Sequence, residues 1–377
     1  MKPARLGELC TLNYGRAHCG YEQEPQETLP VEVFGTNGPI GWATRPLYEQ
    51  PTIIIGRKGA YRGVHYSSGP SWTIDTAYYL TLLDDDIDLK WLYYRLLLVD
   101  INRMDSGSAI PSTKREDFYS VSIGVPSFQE QKCIASILSA YDDLIENNRR
   151  RIQLLEQAAR LLYKEWFVHL RFPGHEHVKI KDGVPEGWEK TTVGDASSFI
   201  SRGITPTYDD EALGTVINQK CIRDQRVSTN FARRQSKEVT PNKLVRYGDV
   251  LVNSTGQGTL GRVAQFLDAI ENCTVDSHIT IARPDEDVPV FLYGHHIASM
   301  EDYLASMGRG ATNQTELSKD VVAGLPLLKP PHLLAEQFES FAKDTADQVR
   351  NLTQQNAMLA KARDLLLPRL MSGVLAV

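Results

Sequence analysis

The chain has 377 residues, 42% hydrophobic and 23% charged, which suits a folded protein of two or three domains. A net charge of -6 and a pI near 5.9 lend no support to a nucleic-acid partner by themselves, although a local basic patch would not register in either number. Five scattered cysteines without close-paired spacing argue against a zinc site or disulfide framework. The opening Met1-Lys2-Pro3-Ala4-Arg5-Leu6 lacks a signal-peptide core, and no apolar stretch approaches the ~20 residues of a membrane span, so a cytoplasmic location is expected.

The first block, residues 1–127, is mixed α and β. Val31-Glu32-Val33-Phe34, Thr52-Ile53-Ile54-Ile55 and Ala77-Tyr78-Tyr79-Leu80-Thr81-Leu82 read as strands, separated by turn chemistry at Gly35-Thr36-Asn37-Gly38 and Gly56-Arg57-Lys58-Gly59. Leu89 to Val99 reads as a short helix. From Gln129 the period changes. Ile134, Leu138, Tyr141, Ile145, Asn148, Ile152, Leu155, Ala159, Leu162 and Trp166 alternate steps of four and three, a heptad seam that predicts one long helix over 128–171. Asn148 is its one polar member after Tyr141 and the type of residue that fixes register. Phe172-Pro173-Gly174 should end that helix.

A linker and second block follow over 172–330, with strand-like Gly214-Thr215-Val216-Ile217-Asn218 and Asp249-Val250-Leu251-Val252-Asn253. A second helix over 331–377 carries Phe338, Ala342, Thr345, Val349, Leu352, Asn356, Leu359, Leu366 and Leu370 on the same spacing. Arg363 interrupts this seam and Pro368 falls near its end. Each helix is about 36 residues and so roughly 54 Å long. Antiparallel pairing of the two is expected, which would set the blocks at opposite ends.

The second half restates the first at a distance of about 203 residues. Trp72-Thr73-Ile74-Asp75-Thr76 answers Cys273-Thr274-Val275-Asp276-Ser277, and Gly107-Ser108-Ala109 answers Gly310-Ala311-Thr312. Glu130-Gln131 and Glu336-Gln337 open the two helices. Two copies are too few for a solenoid; they point to a pseudo-twofold object, suited to a ligand with two halves.

Catalytic motifs are absent or misleading. Gly256-Gln257-Gly258-Thr259-Leu260-Gly261 matches a dinucleotide fingerprint and offers an enzyme as the alternative reading. Arg262 to Leu267 nevertheless reads as a strand, where that site needs a helix N-terminus facing the pyrophosphate. A coiled-coil scaffold without DNA is a further alternative. His295-His296 and His175-Glu176-His177 read as solvent-facing loop histidines, with no metal site expected. Between Thr215 and Asp249 eight Lys or Arg face three acids. These include Lys220, Arg223, Arg226, Arg233 and Arg234, interleaved with Asn218 and Gln219, which could read base edges. The first block offers Arg57, Lys58, Arg62, Lys114 and Arg115 beside Thr36, Asn37 and Ser112. Ser254, Arg262, Asn313 and Gln314 complete the candidate DNA contacts.

The chain resembles the specificity (S) subunit of type I restriction-modification systems. The resemblance rests on Phe34-Gly35-Thr36-Asn37-Gly38-Pro39-Ile40-Gly41, the Ser254 to Arg262 loop, Gly107-Ser108-Ala109-Ile110-Pro111-Ser112 and Pro126-Ser127-Phe128-Gln129-Glu130-Gln131. Pro185-Glu186-Gly187-Trp188 and Ala362 to Gly373 extend it. Asn313-Gln314 departs from the first copy, which has Ile110-Pro111 there. The resemblance implies an α+β chain of two target-recognition domains, each followed by a long helix. It implies a non-catalytic subunit that reads a bipartite duplex site, with the helices as ruler and dock. Partners would be double-stranded DNA, two methyltransferase (M) subunits using S-adenosylmethionine, and restriction (R) subunits. No cofactor is expected in this chain.

Overall fold

The computed structural model describes the chain apart from residues 19, 24, 25, 27, 105–110 and 309–315. It divides into two units, Met1–Arg149 with Gln354–Val377, and Arg150–Thr353. In the first half the order is β1 (Lys2–Arg5), α1 (Leu6–Leu9), β2 (Cys10–Tyr14), β3 (Val31–Gly35), β4 (Gly38–Ala43), β5 (Thr52–Gly56), β6 (Val64–Ser67), β7 (Ser71–Thr73) and β8 (Ala77–Leu82). Then come α2 (Leu89–Leu96), α3 (Arg115–Ser120), β9 (Ser122–Val125) and the long α4 (Phe128–Tyr163).

The second half runs β10 (Ile180–Lys181), β11 (Val184–Pro185), β12 (Glu189–Thr192), β13 (Ser197–Arg202), β14 (Gly214–Ile217), β15 (Ile222–Arg223), β16 (Arg226–Val227), β17 (Arg233–Gln235), β18 (Val250–Asn253), β19 (Val263–Gln265), β20 (Cys273–Val275) and β21 (Ile279–Pro284). It closes with α5 (Val290–Ser299), α6 (Glu301–Ser306), α7 (Lys319–Ala323), β22 (Pro326–Lys329) and α8 (His332–Met371).

The two copies share one topology. The four-stranded sheet β2-β8-β5-β6 is matched by β13-β21-β18-β19, the three-stranded sheet β4-β3-β7 by β17-β14-β20, and the pair β1-β9 by β12-β22. Even the exception repeats, since β3–β7 and β14–β20 are the parallel pairs. β5 and β18 are buried along their whole length, which explains why Thr52-Ile53-Ile54-Ile55 and Val250-Leu251-Val252 read as continuous apolar runs without alternation. Gly15 and Gly203 repeat for a shared steric reason. A Cβ there would stand 2.0 Å from the Ile74 oxygen in one copy and 2.1 Å from the Val275 oxygen in the other. The second copy differs by inserting a small hairpin, β15–β16, between β14 and β17.

α4 begins at a capping box. Ser127 donates its backbone N–H to Glu130 at 2.9 Å, and the Glu130 N–H donates to the Ser127 hydroxyl at 3.4 Å. The α-helix ends at Tyr163 and passes into a π-helical turn, Lys164–Val168, before Leu170 turns left-handed at φ 58. The stop thus precedes the Phe172-Pro173-Gly174 signal. Pro368 does not stop α8. Leu367, Leu370 and Met371 are buried in the first unit's core, and that burial offsets the roughly 3 kcal/mol that an interior proline costs.

Contacts within the first unit run α4 and α8 in opposite senses, and the two helices also touch in the second. In the first, Asp142 meets Arg363 at 2.5 Å while Asn148 donates to Asn356 at 3.0 Å. In the second, the Tyr163 and Phe338 rings are 5.8 Å apart. Ile134, Leu138, Ile145, Asn148, Ile152, Phe338 and Leu352 are buried, whereas Leu155, Leu162, Val349, Asn356, Leu359 and Leu366 are half-buried. The Arg363 that interrupts the apolar spacing is therefore a paired residue, bonded to Asp142 and Asp364.

An amide pair set into an apolar helix seam, buried on the Asn148 side and half-buried on the Asn356 side, costs stability and fixes register. Replacing Asn148 and Asn356 together by leucine should raise the unfolding midpoint of the full chain yet yield more than one register in cysteine cross-linking between α4 and α8. A single register in the double variant would remove this role.

Candidate nucleic-acid interface

In the first unit the candidate residues gather at one corner, where β5 leaves the sheet. The Arg57 and Lys58 N–H groups both donate to the Thr76 oxygen, at 2.9 and 3.1 Å, and the Thr36 hydroxyl bonds the Lys58 and Thr76 carbonyls at 2.9 Å each. Gly59 donates to Pro111 at 3.0 Å and Thr113 to Arg57 at 2.9 Å, so the segment carrying Ser112, Lys114 and Arg115 is laced to the same loop. Asn37, Lys58 and Lys114 are exposed, and Arg57, Ser112 and Arg115 are half-buried. Nine backbone and hydroxyl groups are thereby fixed before any ligand arrives, which suits a site that must hold polar groups in place.

Arg62 does not belong to that surface. It is buried, its guanidinium donating to the Ile101 and Asn102 carbonyls at 3.3 and 2.8 Å while its own N–H donates to the Asn102 side chain at 2.9 Å. Its charge anchors the hairpin from behind.

The second unit sorts its basic run in the same way. Lys220, Arg223, Arg233 and Arg234 are exposed. Arg233 lies over the Tyr208 ring at 3.6 Å, and Arg234 donates to the Leu213 carbonyl and Thr215 hydroxyl at 3.1 Å each. Arg226 is exposed too, but its guanidinium is taken up by a two-pronged bond to Glu156 of α4. Asn218 caps a turn by accepting from the Lys220 N–H at 2.9 Å, and Gln219 donates to the Thr255 hydroxyl at 2.7 Å. Ser254 is fully buried and bonded to Thr280 at 2.6 Å. Arg262 is half-buried, and Asn313 and Gln314 lie outside the described residues. Counting charges along the sequence could not separate arginines facing solvent from those consumed by carbonyls and a helix carboxylate.

Residues that the sequence did not single out matter here. Tyr14 and Tyr208 hold arginines by their ring faces. Asp249 and Arg283 form a buried pair at 2.7 Å beneath β18, with Arg283 also donating to the Leu244 carbonyl at 2.8 Å. His295 and His296, expected in a solvent-facing loop, sit in α5, where His296 is buried and His295 half-buried, since the apolar neighbours Phe291, Leu292 and Ile297 place this helix in the core. Tyr163 and the His296 Nδ1 are 2.8 Å apart.

The glycine-rich segment Gly256–Gly261 joins β18 to β19, which pair antiparallel from Val252↔Val263 outward. A strand follows the glycines, so no helix N-terminus faces them and the dinucleotide reading loses its physical basis. Among the described residues no group of three His, Cys, Asp or Glu is placed to hold a metal ion, and no helix is long and apolar enough to cross a membrane.

The chain is thus a duplicated α/β protein with basic and amide side chains on braced loops. Residues 1–157 match the type I restriction modification DNA specificity domain. The chain is 23% identical to the type I restriction enzyme MjaIX specificity subunit of Methanocaldococcus jannaschii, over 88% of this chain and 79% of that one. It is also 23% identical to the HindI specificity subunit of Haemophilus influenzae, over 70% and 71% of the two chains. Its fold is similar to the crystal structure of the type I restriction-modification S subunit from M. genitalium, with a TM-score of 0.60 and 15% identity, covering 98% and 95%. Residues 1–157 thus match a DNA specificity domain, and the chain as a whole is similar to type I restriction-modification specificity subunits.

Burial pulls the His296 imidazole from 6.5 to about 4 and lowers His295 as well. The unfolded chain therefore binds more protons between those values, so stability present above 6.5 is lost as pH falls toward 4. For His296 alone the loss is on the order of 3 kcal/mol. His296→Gln, which keeps an acceptor for Tyr163, should flatten the acid limb of thermal unfolding by up to one proton; an unchanged limb would contradict the assignment.

Proposed function

We propose that each unit reads one half of a bipartite duplex site and that α4 and α8 set the gap between the halves. Methyltransferase subunits, two per chain, dock on the helices, bind S-adenosylmethionine themselves and methylate adenine; restriction subunits join through that assembly. The observation that carries this reading is the repeated sheet order, β2-β8-β5-β6 with β4-β3-β7 and β13-β21-β18-β19 with β17-β14-β20, each copy bearing its own basic loops. Two similar readers in one polypeptide match a ligand with two half-sites.

The chemistry of the loops supports different halves. The first copy presents Asn37, Lys58 and Lys114, whereas the second presents Lys220, Arg223, Arg233 and Arg234 beside its inserted hairpin. Lysines and arginines supply salt-dependent attraction to phosphates, and amide or guanidinium groups reaching base edges discriminate by about 1–3 kcal/mol per good contact. Leu144, Leu154 and Leu161 along α4, and Phe341, Met358 and Leu365 along α8, are large apolar side chains left exposed, as a docking surface requires.

Exchanging the block from Pro185 to Pro330 for that of a relative should change one half of the methylated motif and leave the other intact; an unchanged motif would overturn the two-reader reading. Removing one heptad from each of α4 and α8 takes out about 10 Å of helix, worth about three base pairs of gap. An unaltered gap in sequenced methylation sites would remove the spacing role.

A further inference from the structure

Tyr14 ends β2 with its side chain half exposed, and two guanidinium groups lie against its ring. The Arg57 carbon is 4.8 Å from the ring centroid and the Arg115 carbon 4.6 Å. The shared ring keeps these cations within about one Debye length of each other, so they repel. Arg57 is further aimed by its Nη1 donating to the Asp75 carbonyl at 2.7 Å, and it lies 5.9 Å from the Tyr78 ring. Tyr78 packs on Tyr14 with centroids 5.1 Å apart and donates to the Thr113 carbonyl at 3.2 Å. Among the described residues neither arginine has a carboxylate in ion-pair contact; a carbonyl and ring faces hold them.

The second unit closes the same corner. Thr113 donates to the Arg57 carbonyl at 2.9 Å and Leu317 to the Ser254 carbonyl at 2.8 Å, so buried Ser254 stands where Arg57 does. The Lys58–Ser112 bridge is repeated by Thr255–Glu316. Arg202, preceding Gly203 as Tyr14 precedes Gly15, is neutralised by Glu316 at 2.8 Å and donates to the Leu317 carbonyl at 2.7 Å. Among the described residues, one copy thus leaves Arg57 and Arg115 without a carboxylate where the other pairs Arg202 with Glu316.

We propose that Tyr14, Arg57 and Arg115 form a phosphate clamp peculiar to the first recognition domain, with Tyr14 as the positioning residue. This rests on the DNA-reading function proposed above and adds an asymmetry to it. Two guanidinium forks held side by side accept phosphate oxygens at little ordering cost, and a bound phosphate relieves their repulsion. The aromatic face supplies the hold, so the phenolic hydroxyl is dispensable.

The test is a set of binding titrations of the full chain on a fluorescein-labelled duplex of mixed sequence, followed by anisotropy from about 50 to about 200 mM salt. Arg57→Gln and Arg115→Gln should each reduce the salt slope by about one. Tyr14→Leu, which removes no charge, should weaken binding roughly ten-fold, and Tyr14→Phe should bind as the parent does. In the Arg57→Gln/Arg115→Gln background Tyr14→Leu should have no further effect. An unweakened Tyr14→Leu chain, or an equal loss in that background, would overturn the clamp while leaving DNA reading intact. Absence of salt-dependent binding by the parent chain would instead strike the DNA-reading function itself.

Discussion

The first recognition core is incomplete without the long helices, and the second domain is seated on them through an apolar cluster of its own; much of the structure follows from that constraint. Ile134 and Leu138 of α4 and Leu367, Leu370 and Met371 of α8 are buried with Leu12, Ile53, Leu80 and Trp91 in the first unit. In the second, Tyr163 and Phe167 meet Leu334 and Phe338 beside Trp188 and Phe291. At about 1.5–3 kcal/mol for each large apolar side chain buried, these helix residues contribute substantially to the first core and to the cluster that seats the second domain. The first domain accordingly folds around the end of the chain as well as its beginning, which is why its unit unites Met1–Arg149 with Gln354–Val377.

Polar bonds then set how each domain is held on its helix segments, and the two copies use different chemistry. In the first, Asp142 of α4 accepts from the Tyr94 hydroxyl at 2.6 Å and from Arg363 of α8 at 2.5 Å. Burial, and then the bond to Asp142, push the Tyr94 phenol above its ordinary range, so it stays a donor. In the second, Glu339 of α8 accepts from the Phe291 N–H at 2.9 Å and the Leu292 N–H at 3.1 Å. That carboxylate caps α5, whose preceding Pro289 offers no side-chain cap, and it faces the positive end of the helix. Burial nevertheless raises the Glu339 carboxyl above its usual value, against the pull of the bonded N–H groups. Bonds of this charge-assisted kind contribute about 1.5–3 kcal/mol when shielded from water.

Much of this frame was legible in the sequence because local pattern determined it. The apolar runs of β3, β5 and β8, the change of period at α4, and the strand after the Gly256–Gly261 turn each follow from neighbours a few residues apart. What escaped depended on distant partners. His295 and His296 carry no sign of burial in themselves; the core that α5 enters decides it. Arg62 and Arg226 look like their basic neighbours until Asn102 and Glu156 are seen bonded to them. Tyr14 is an ordinary strand residue until β5 and α3 deliver two arginines to its ring. Pro368, a helix breaker by local rule, is overridden by the core that holds its turn. The candidate site was thus visible as a set of residue types, but its sorting into anchors and exposed groups was not.

Two copies of one fold, each followed by a long helix, underlie the proposed reading of two half-sites. It is tested most directly by single-molecule sequencing of methylated adenines in cells that carry this chain with its methyltransferase. The expected result is a motif of two dissimilar specified halves separated by an unspecified gap of constant length, lost when this chain is removed. A single uninterrupted motif, or the same methylation without the chain, would contradict it.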